Sequence, residues 1–474
     1  MTRERIGPER TGMVLAAACL CQLVVVLDIS VVNVALPHID RALGFSASSL
    51  SWVVNAYTLA FGGLLLLGGR IADLLGQRRT LLAGLTLFGV VSLLGGLAQT
   101  PGQLVAARAA QGLAAAVLSP ATLAVIMVTF REGDERRRAV ATWGLVATAG
   151  GTLGVLLSGL LTEYLDWRWV FFVNVPIVLA AGALAFAAVH DPHASERVRL
   201  DVVGAILATA SMTMLAYGAV HAGAQGWADA VTVSTLAGAV ISGAAFIGWE
   251  RRADAPLIRL SVLRTPGVSV AAVIIALIGA TAIASSYFLS LFLQNVLRYS
   301  AVSTGVAFLP FCVGMAISTM ASPRLVERFG TRLVLTVGLT VGAVGMLCFT
   351  RLDVGSGYAT FLLASIPASM GLGASIAPTL SLGTSGLERG EAGMVSGLLN
   401  TSRQAGGGVA LAVLATVASQ AGSRAGVAAH ALADGYRTAF LLSGALLLAA
   451  AAIALAYVPR DVVAVAPQPA EAVS

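Results

Sequence analysis

Apolar blocks of about 20 residues follow one another along the whole chain, separated by short charged segments. At 1.5 Å per residue, each block is long enough to cross ~30 Å of hydrocarbon as an α-helix. Fourteen helices are predicted, at 13–36, 51–69, 80–98, 102–128, 139–161, 168–189, 201–220, 229–249, 267–293, 302–322, 332–350, 357–383, 402–420 and 437–458. The runs are continuous and do not alternate with period two, which argues against a transmembrane β-barrel. The expected class is an all-α membrane protein. The first block carries Asp28 and Asn33 and has no small-residue cleavage site, so it reads as a retained helix, not a signal peptide.

The polar segments between blocks repeat. Arg70-Ile-Ala-Asp73-Leu-Leu-Gly76-Gln-Arg78 follows the second block, and Arg324-Leu-Val-Glu327-Arg-Phe-Gly330-Thr-Arg332 follows the tenth. Arg, acid, Gly and Arg match at a constant offset of 254 positions. The fourth and twelfth blocks echo each other in Gly112…Pro120 and Gly371…Pro378. Both copies fall on one side of the membrane, so the chain reads as two parallel six-helix repeats, 13–190 and 267–458. Segment 191–266 then holds an inserted helix pair. Residues 1–12 and 459–474 are short ends, the latter expected to be disordered. Parallel repeats of this kind belong to transporters whose halves rock about a site near the bilayer midplane.

Composition agrees, with 57% hydrophobic and 11% charged residues, against roughly 25% charged in a soluble domain. All 29 basic residues are Arg, and 22 of them fall in segments on the side of the two chain ends. Six lie opposite, at Arg41, Arg168, Arg298, Arg351, Arg424 and Arg437, which leaves Arg108 alone inside a block. Cytoplasmic loops hold the Arg excess, so both termini are expected in the cytoplasm. The net charge of +6 is scattered over short loops and offers no surface for nucleic acid. Cys19, Cys21, Cys312 and Cys348 lie inside apolar blocks and read as small core residues, with no metal-ligand spacing. No HExxH, GxSxG, GxxxxGK[ST] or CxxC occurs, so the sequence points to no enzyme, no cofactor and no ATP-driven motor.

The chemistry concentrates in a few intramembrane polar residues. A carboxylate at the bilayer centre costs at least ~2.5–3.5 kcal/mol, so Asp28 is a functional candidate by default. Counting from the expected helix ends, Asp28 lies about 12 Å and Arg108 about 9 Å below the same surface. Two readings follow: a proton-coupling pair facing a common cavity, or a purely structural ion pair. The repeated loops, Gly69, Asp73, Gly76, Arg78 and Arg79 in one copy and Arg324, Glu327, Gly330 and Arg332 in the other, are expected to latch the cytoplasmic side. An acid near a helix end can pair with the opposite half, and Gly makes the tight turn. Gly150, Gly154 and Ser158 fall four apart and, with Gly151 and Gly159, form a small-residue seam for close helix packing. Asn33, Asn55, Tyr57, Gln111, Ser286, Tyr287, Gln294, Asn295 and Ser369 are candidates to line a weakly polar cavity suited to a bulky amphipathic compound.

Five segments resemble one family. Leu27-Asp28-Ile-Ser-Val-Val-Asn33-Val-Ala-Leu-Pro37 is similar to the first-helix signature of the fourteen-helix drug:proton antiporters of the major facilitator superfamily. Gly69–Arg79, Arg108-Ala-Ala-Gln111-Gly112, Trp167-Arg-Trp-Val-Phe-Phe-Val-Asn174-Val-Pro176 and Asn400-Thr-Ser-Arg403-Gln404 fit the same branch. The resemblance implies export of drugs or antibiotics from a bacterial cell across its inner membrane, against proton entry, by a protein that works as a monomer. It makes Asp28 and Arg108 the coupling pair and Gly69, Asp73 and Arg78 the gate. Transport of a metabolite, lipid or siderophore, or a non-transporting sensor, remains as an alternative. In the fifth helix Gly151 and Val155 stand where the family carries prolines, so the seam is expected without a kink.

Overall fold

The computed structural model describes residues 8–46, 49–189, 200–387, 389–422 and 428–459. The expectations for 1–7, 191–199 and 460–474 lie outside these residues, as does the side chain of Asp73. Fourteen long helices account for the fold. They are α1 Pro8–Leu43, α2 Trp52–Leu75, α3 Gln77–Gly96, α4 Pro101–Thr129, α5 Asp134–Tyr164 and α6, which breaks at Val173 into Trp169–Phe172 and Asn174–Ala188. Then come α7 Val202–Gln225, α8 Ala230–Glu250, α9 Pro266–Leu291 with a wide turn Phe292–Val296, and α10, in pieces Ala301–Ala307 and Leu309–Phe329. The last four are α11 Thr331–Phe349, α12 Tyr358–Thr384, α13 Arg389–Gly422 and α14 Ala428–Tyr457. No strand occurs among the described residues.

Thirteen of the helices are apolar enough over a membrane-length window to cross a bilayer; α13 is the exception. Its polarity follows from where it sits. It is wedged between α2 and α9, touches α7 and α14, and has little need of a lipid-facing surface. A side chain at Gly406 would run into the backbone of α9 at Ala276, one at Gly407 into the Ile283 side chain of α9, and one at Gly408 into Leu59 of α2. Thr416 donates to the carbonyl of Ala219 on α7 at 2.9 Å. The predicted span 402–420 therefore starts too late. α13 begins at Arg389 and carries Arg403 into the bundle, so the count that left Arg108 as the single intramembrane Arg is corrected.

The first helix also runs further than the apolar pattern indicates, through Pro37 to Leu43. Proline has no N–H to give to the carbonyl four residues back, here that of Asn33. That carbonyl instead accepts from the Ser290 hydroxyl of α9 at 2.8 Å, and the neighbouring Val34 carbonyl accepts from Gln294 Nε2 at 2.9 Å. A break in one helix thus becomes a contact with the other repeat.

The two repeats are α1–α6 and α9–α14, with α7 and α8 paired beside them and α7 lying against both α2 and α13. The repeated loops superpose in conformation. Gly76 has φ 87° and ψ 152°, Gly330 φ 80° and ψ 155°, a left-handed region that favours glycine. The Arg two positions later does the same job in both copies. Arg78 Nη2 donates to the Phe186 carbonyl at the end of α6 (2.9 Å), with its guanidinium 4.6 Å from the Phe186 ring. Arg332 donates to the Leu455 carbonyl at the end of α14. Each cation closes the C-terminal, partially negative end of the last helix of its own repeat. The face bearing these loops is called the motif face below, and the opposite one the far face.

Candidate functional site: a buried carboxylate network

Five helices converge on Asp28, which is fully buried. Its Oδ2 accepts from Arg108 Nη1 of α4 at 2.5 Å. Its Oδ1 accepts from Gln111 Nε2 at 3.0 Å and from Asn174 Nδ2 of α6 at 2.8 Å. Every neighbour donates, so both oxygens are satisfied as acceptors. Arg108 is 1% exposed and is held independently of Asp28. Nε donates to the Val53 carbonyl of α2 at 2.9 Å, Nη1 to Gln111 Oε1 at 2.9 Å, and the guanidinium lies 4.4 Å from the Tyr57 ring. Tyr57 is pinned in turn by its hydroxyl, which donates to the Val25 carbonyl at 3.3 Å. Gln111 Nε2 also reaches Ser92 Oγ of α3 at 2.9 Å.

The local sequence explains how α4 supplies two members. Arg108 and Gln111 are three apart and share one helical face, and Gly112 next to them lets α4 approach the backbone of α2 at Tyr57. The breadth of the pair's environment has a consequence for proton chemistry. If Asp28 takes up a proton, Arg108 keeps a carbonyl, an amide oxygen and a ring face, and is not left as a bare buried cation.

The expectation that this pair faces an open cavity is corrected. Both side chains are enclosed within the first repeat, and Tyr57 and Gln111 belong to their network and not to a cavity wall. Asn174 and Ser92 complete the network; the sequence marks Asn174 only as part of a family-like segment and not as a site candidate, and Ser92 not at all. The depth count also changes, since Asp28 is 15 residues, about 22 Å, from the true end of α1.

The other candidates separate into groups. Asn55 is fully buried, and neither amide atom is hydrogen-bonded among the described residues. Asn33 donates to its own helix at Ile29 (3.2 Å), Ser286 to Ala282 (3.0 Å) and Ser369 to Ile366 (3.0 Å). Tyr287 is buried edge-on to Phe288, their ring centres 5.1 Å apart. Gln294 and Asn295 do line a cavity, one of about 500 Å³ at the far face, together with His38, Asp40, Glu163 and Arg298.

The seam on α5 serves two partners. Gly150, Gly151 and Gly154 face α1 at Leu23, Val26 and Ser30, and Ser158 donates to the Val31 carbonyl. Gly159 turns to α10, where an added Cβ would lie 2.7 Å from the Ala301 carbonyl oxygen. Beyond it Glu163 Oε2 accepts from the Val302 N–H at 2.7 Å, capping the first turn of α10 across the two repeats. α5 is unbroken from Asp134 to Tyr164. Of the loop residues, Arg70 donates to the Ala255 and Pro256 carbonyls at 3.1 and 2.6 Å, on the segment joining α8 to α9. Gly69 has room against Pro120, 3.7 Å from an added Cβ. Arg79, Arg324 and Glu327 are exposed.

The pattern of two six-helix repeats with a polar centre is matched by a family model described as Major Facilitator Superfamily, over residues 18–411. The chain belongs to that superfamily. It is a multi-pass membrane transporter and not an enzyme. Among its relatives, the cephamycin export protein CmcT of Amycolatopsis lactamdurans is 41% identical over 434 residues, covering 90% of this chain and 89% of that protein. The puromycin resistance protein Pur8 of Streptomyces alboniger is 42% identical over 422 residues, covering 88% and 83%. A bacterial homologue of the human lysosomal transporter Spinster, solved inward-facing and unoccupied, shares the fold with a TM-score of 0.69 at 15% identity, covering 95% of this chain and 97% of that one.

Proposed function

We propose that this transporter exports small amphipathic drugs or antibiotics from a bacterial cell in exchange for entering protons, by alternating access. The observation that carries the reading is the Asp28 network. It is a buried carboxylate, bonded to three side chains, on the helix that also touches the other repeat through Asn33 and Val34.

Protonation removes the charge that holds Arg108 Nη1 and loosens α1 from α4 and α6. Asn33 and Val34 lie five and six residues further along the same helix, so a shift of α1 is felt where it meets Ser290 and Gln294. The seal at the far face, made there and by Gly159 and Glu163 against α10, then opens or closes with the protonation state. Two discrete arrangements of the halves about the midplane are what alternating access needs. The Arg excess of the sequence, 21 of 29 in the segments on the side of the chain ends once Arg403 is assigned to the bundle, supports placing the motif face and both chain ends in the cytoplasm. The export and resistance functions named for the two relatives, each covered over more than four fifths of its length, support the outward direction and the substrate class.

The test is drug accumulation in cells lacking and overproducing the protein, with and without a protonophore. Lower accumulation on overproduction, abolished by the protonophore, is expected. Higher accumulation would indicate import, and no change for any compound would indicate a non-transporting role.

A further inference from the structure

Arg403 is a second guanidinium at mid-depth, and its surroundings differ from those of Arg108. It stands within a turn of the midpoint of α13 (Arg389–Gly422). Its neighbours are also helix midpoints. The stem of Arg403 lies over Gly279 of α9, with Cγ 2.9 Å from where a Cβ would be. The next residue, Gln404, meets Gly62 of α2 at 2.8 Å on the same measure. Helices α2 and α13 come from opposite repeats, so Arg403 lies at the repeat interface in the middle of the bundle, where transporters of this architecture place substrate.

The guanidinium is poorly provided for. Among the described residues its hydrogen-bond partner is the neutral Asn400 Oδ1, at 3.2 Å, and no carboxylate pairs with it. It is enclosed by helices yet only partly buried, as are Asn400, Thr401 and Ser402 beside it. Thr401 Oγ1 is a buried oxygen without a hydrogen-bond partner among the described residues. A fixed cation at this depth is expensive unless paired or open to a water-filled space, and it marks a site by default. Arg108 has its anion inside the protein. Arg403 has five N–H donors, one weak neutral acceptor and a partly exposed side chain, the arrangement of a group whose anion arrives with a ligand.

We infer that Arg403 binds an anionic group, a carboxylate or sulfonate, on an amphipathic substrate, with Asn400 and Thr401 as neighbouring hydrogen-bonding groups. This rests on the transport reading and narrows it: the preferred cargo carries a negative charge. Arg403→Gln removes the charge while keeping length and polarity, and Arg403→Lys keeps the charge without the fork.

The experiment measures ligand-induced thermal stabilisation of the purified full-length protein by dansyl-leucine and its neutral counterpart dansyl-leucinamide. In the wild type the acid is expected to bind about tenfold more tightly than the amide, a difference typical of one charge-assisted hydrogen-bonded contact. In Arg403→Gln the two are expected to bind alike, with amide affinity unchanged. Arg403→Lys is expected to keep part of the preference. The inference is overturned if the wild type shows no preference for the acid, whether both probes bind or neither does. It is equally overturned if Arg403→Gln keeps the preference or weakens both probes together. Binding needs no proton gradient, so loss of protonophore-sensitive export would count against the efflux reading without touching this result.

Discussion

Asn174 donates to Asp28 Oδ1 at 2.8 Å, joining α6 to α1 across 146 positions of sequence. Its own Oδ1 is buried without a partner, so its side chain is placed for Asp28 and for nothing else among the described residues. Asn174→Ala leaves Gln111 donating to Asp28 Oδ1 and is expected to cost about 1.5–3 kcal/mol of stability, the usual worth of a hydrogen bond to a charged group. It should slow transport while leaving the protein folded and in the membrane. Asn174→Asp should do far worse, because it sets a second carboxylate against the first. Melting temperature and initial export rate of the two variants check both statements.

The Asp28–Arg108 pair yields a prediction with a built-in control. Removing Arg108 leaves the buried Asp28 charge without its counter-ion, a loss of about 3–5 kcal/mol, whereas removing both charges is far milder. Arg108→Gln alone should reduce the amount of folded protein sharply. Asp28→Asn combined with Arg108→Gln should restore it, without restoring proton-driven export. Yield of monodisperse protein and accumulation assays separate the two effects. A double variant that exported normally would reduce the pair to a structural tie.

Close packing on α5 predicts opposite outcomes for adjacent glycines. An added methyl at Gly151 meets nothing nearer than 3.8 Å, but at Gly154 it lies 2.8 Å from Ser30 Cβ. Gly151→Ala is therefore expected to be neutral in stability and transport. Gly154→Ala must push α1 and α5 apart, at about 1–3 kcal/mol for an overpacked site. Thermal unfolding and export of the two variants, side by side, provide the comparison.

How far the sequence led can be read from single residues. Apolar block length was enough for thirteen helices, because those helices present lipid-facing surface, and it misplaced the start of α13, which is surrounded by protein. The first span was expected to end at 36, yet α1 continues through Pro37 to Leu43, and Ser290 uses the carbonyl that the proline leaves free. Arg108 and Asp28 stood out by the cost of their charge, and the structure brings them into contact. Asn174 did not stand out, since a neutral amide carries little penalty in the sequence and its partner is set by how α6 folds back onto α1. The two glycines of the repeated loops were legible for a direct reason: a turn with φ near +80° accepts little else.

The seal at the far face yields a further prediction. Glu163 caps α10 from the opposite repeat, and Ser290 bonds the carbonyl released by Pro37. Glu163→Gln weakens a charge-assisted cap, and Ser290→Ala removes a donor. Both variants are expected to shift the population toward opening at that face, with the double variant shifted more. Maleimide labelling of a cysteine placed at Asn295, in the cavity there, should rise in the order wild type, single variants, double variant. Unchanged labelling would show that these bonds do not hold the seal.

The central claim is that Asp28 couples export to proton entry, and proteoliposomes test it most directly. Wild-type protein with an imposed proton gradient should drive substrate movement, and a substrate gradient alone should drive proton movement in the opposite direction. In Asp28→Asn, with folding verified by thermal unfolding and substrate binding, both coupled fluxes should fall to the level of protein-free vesicles. Substrate-driven proton movement at the wild-type rate in Asp28→Asn would contradict the account.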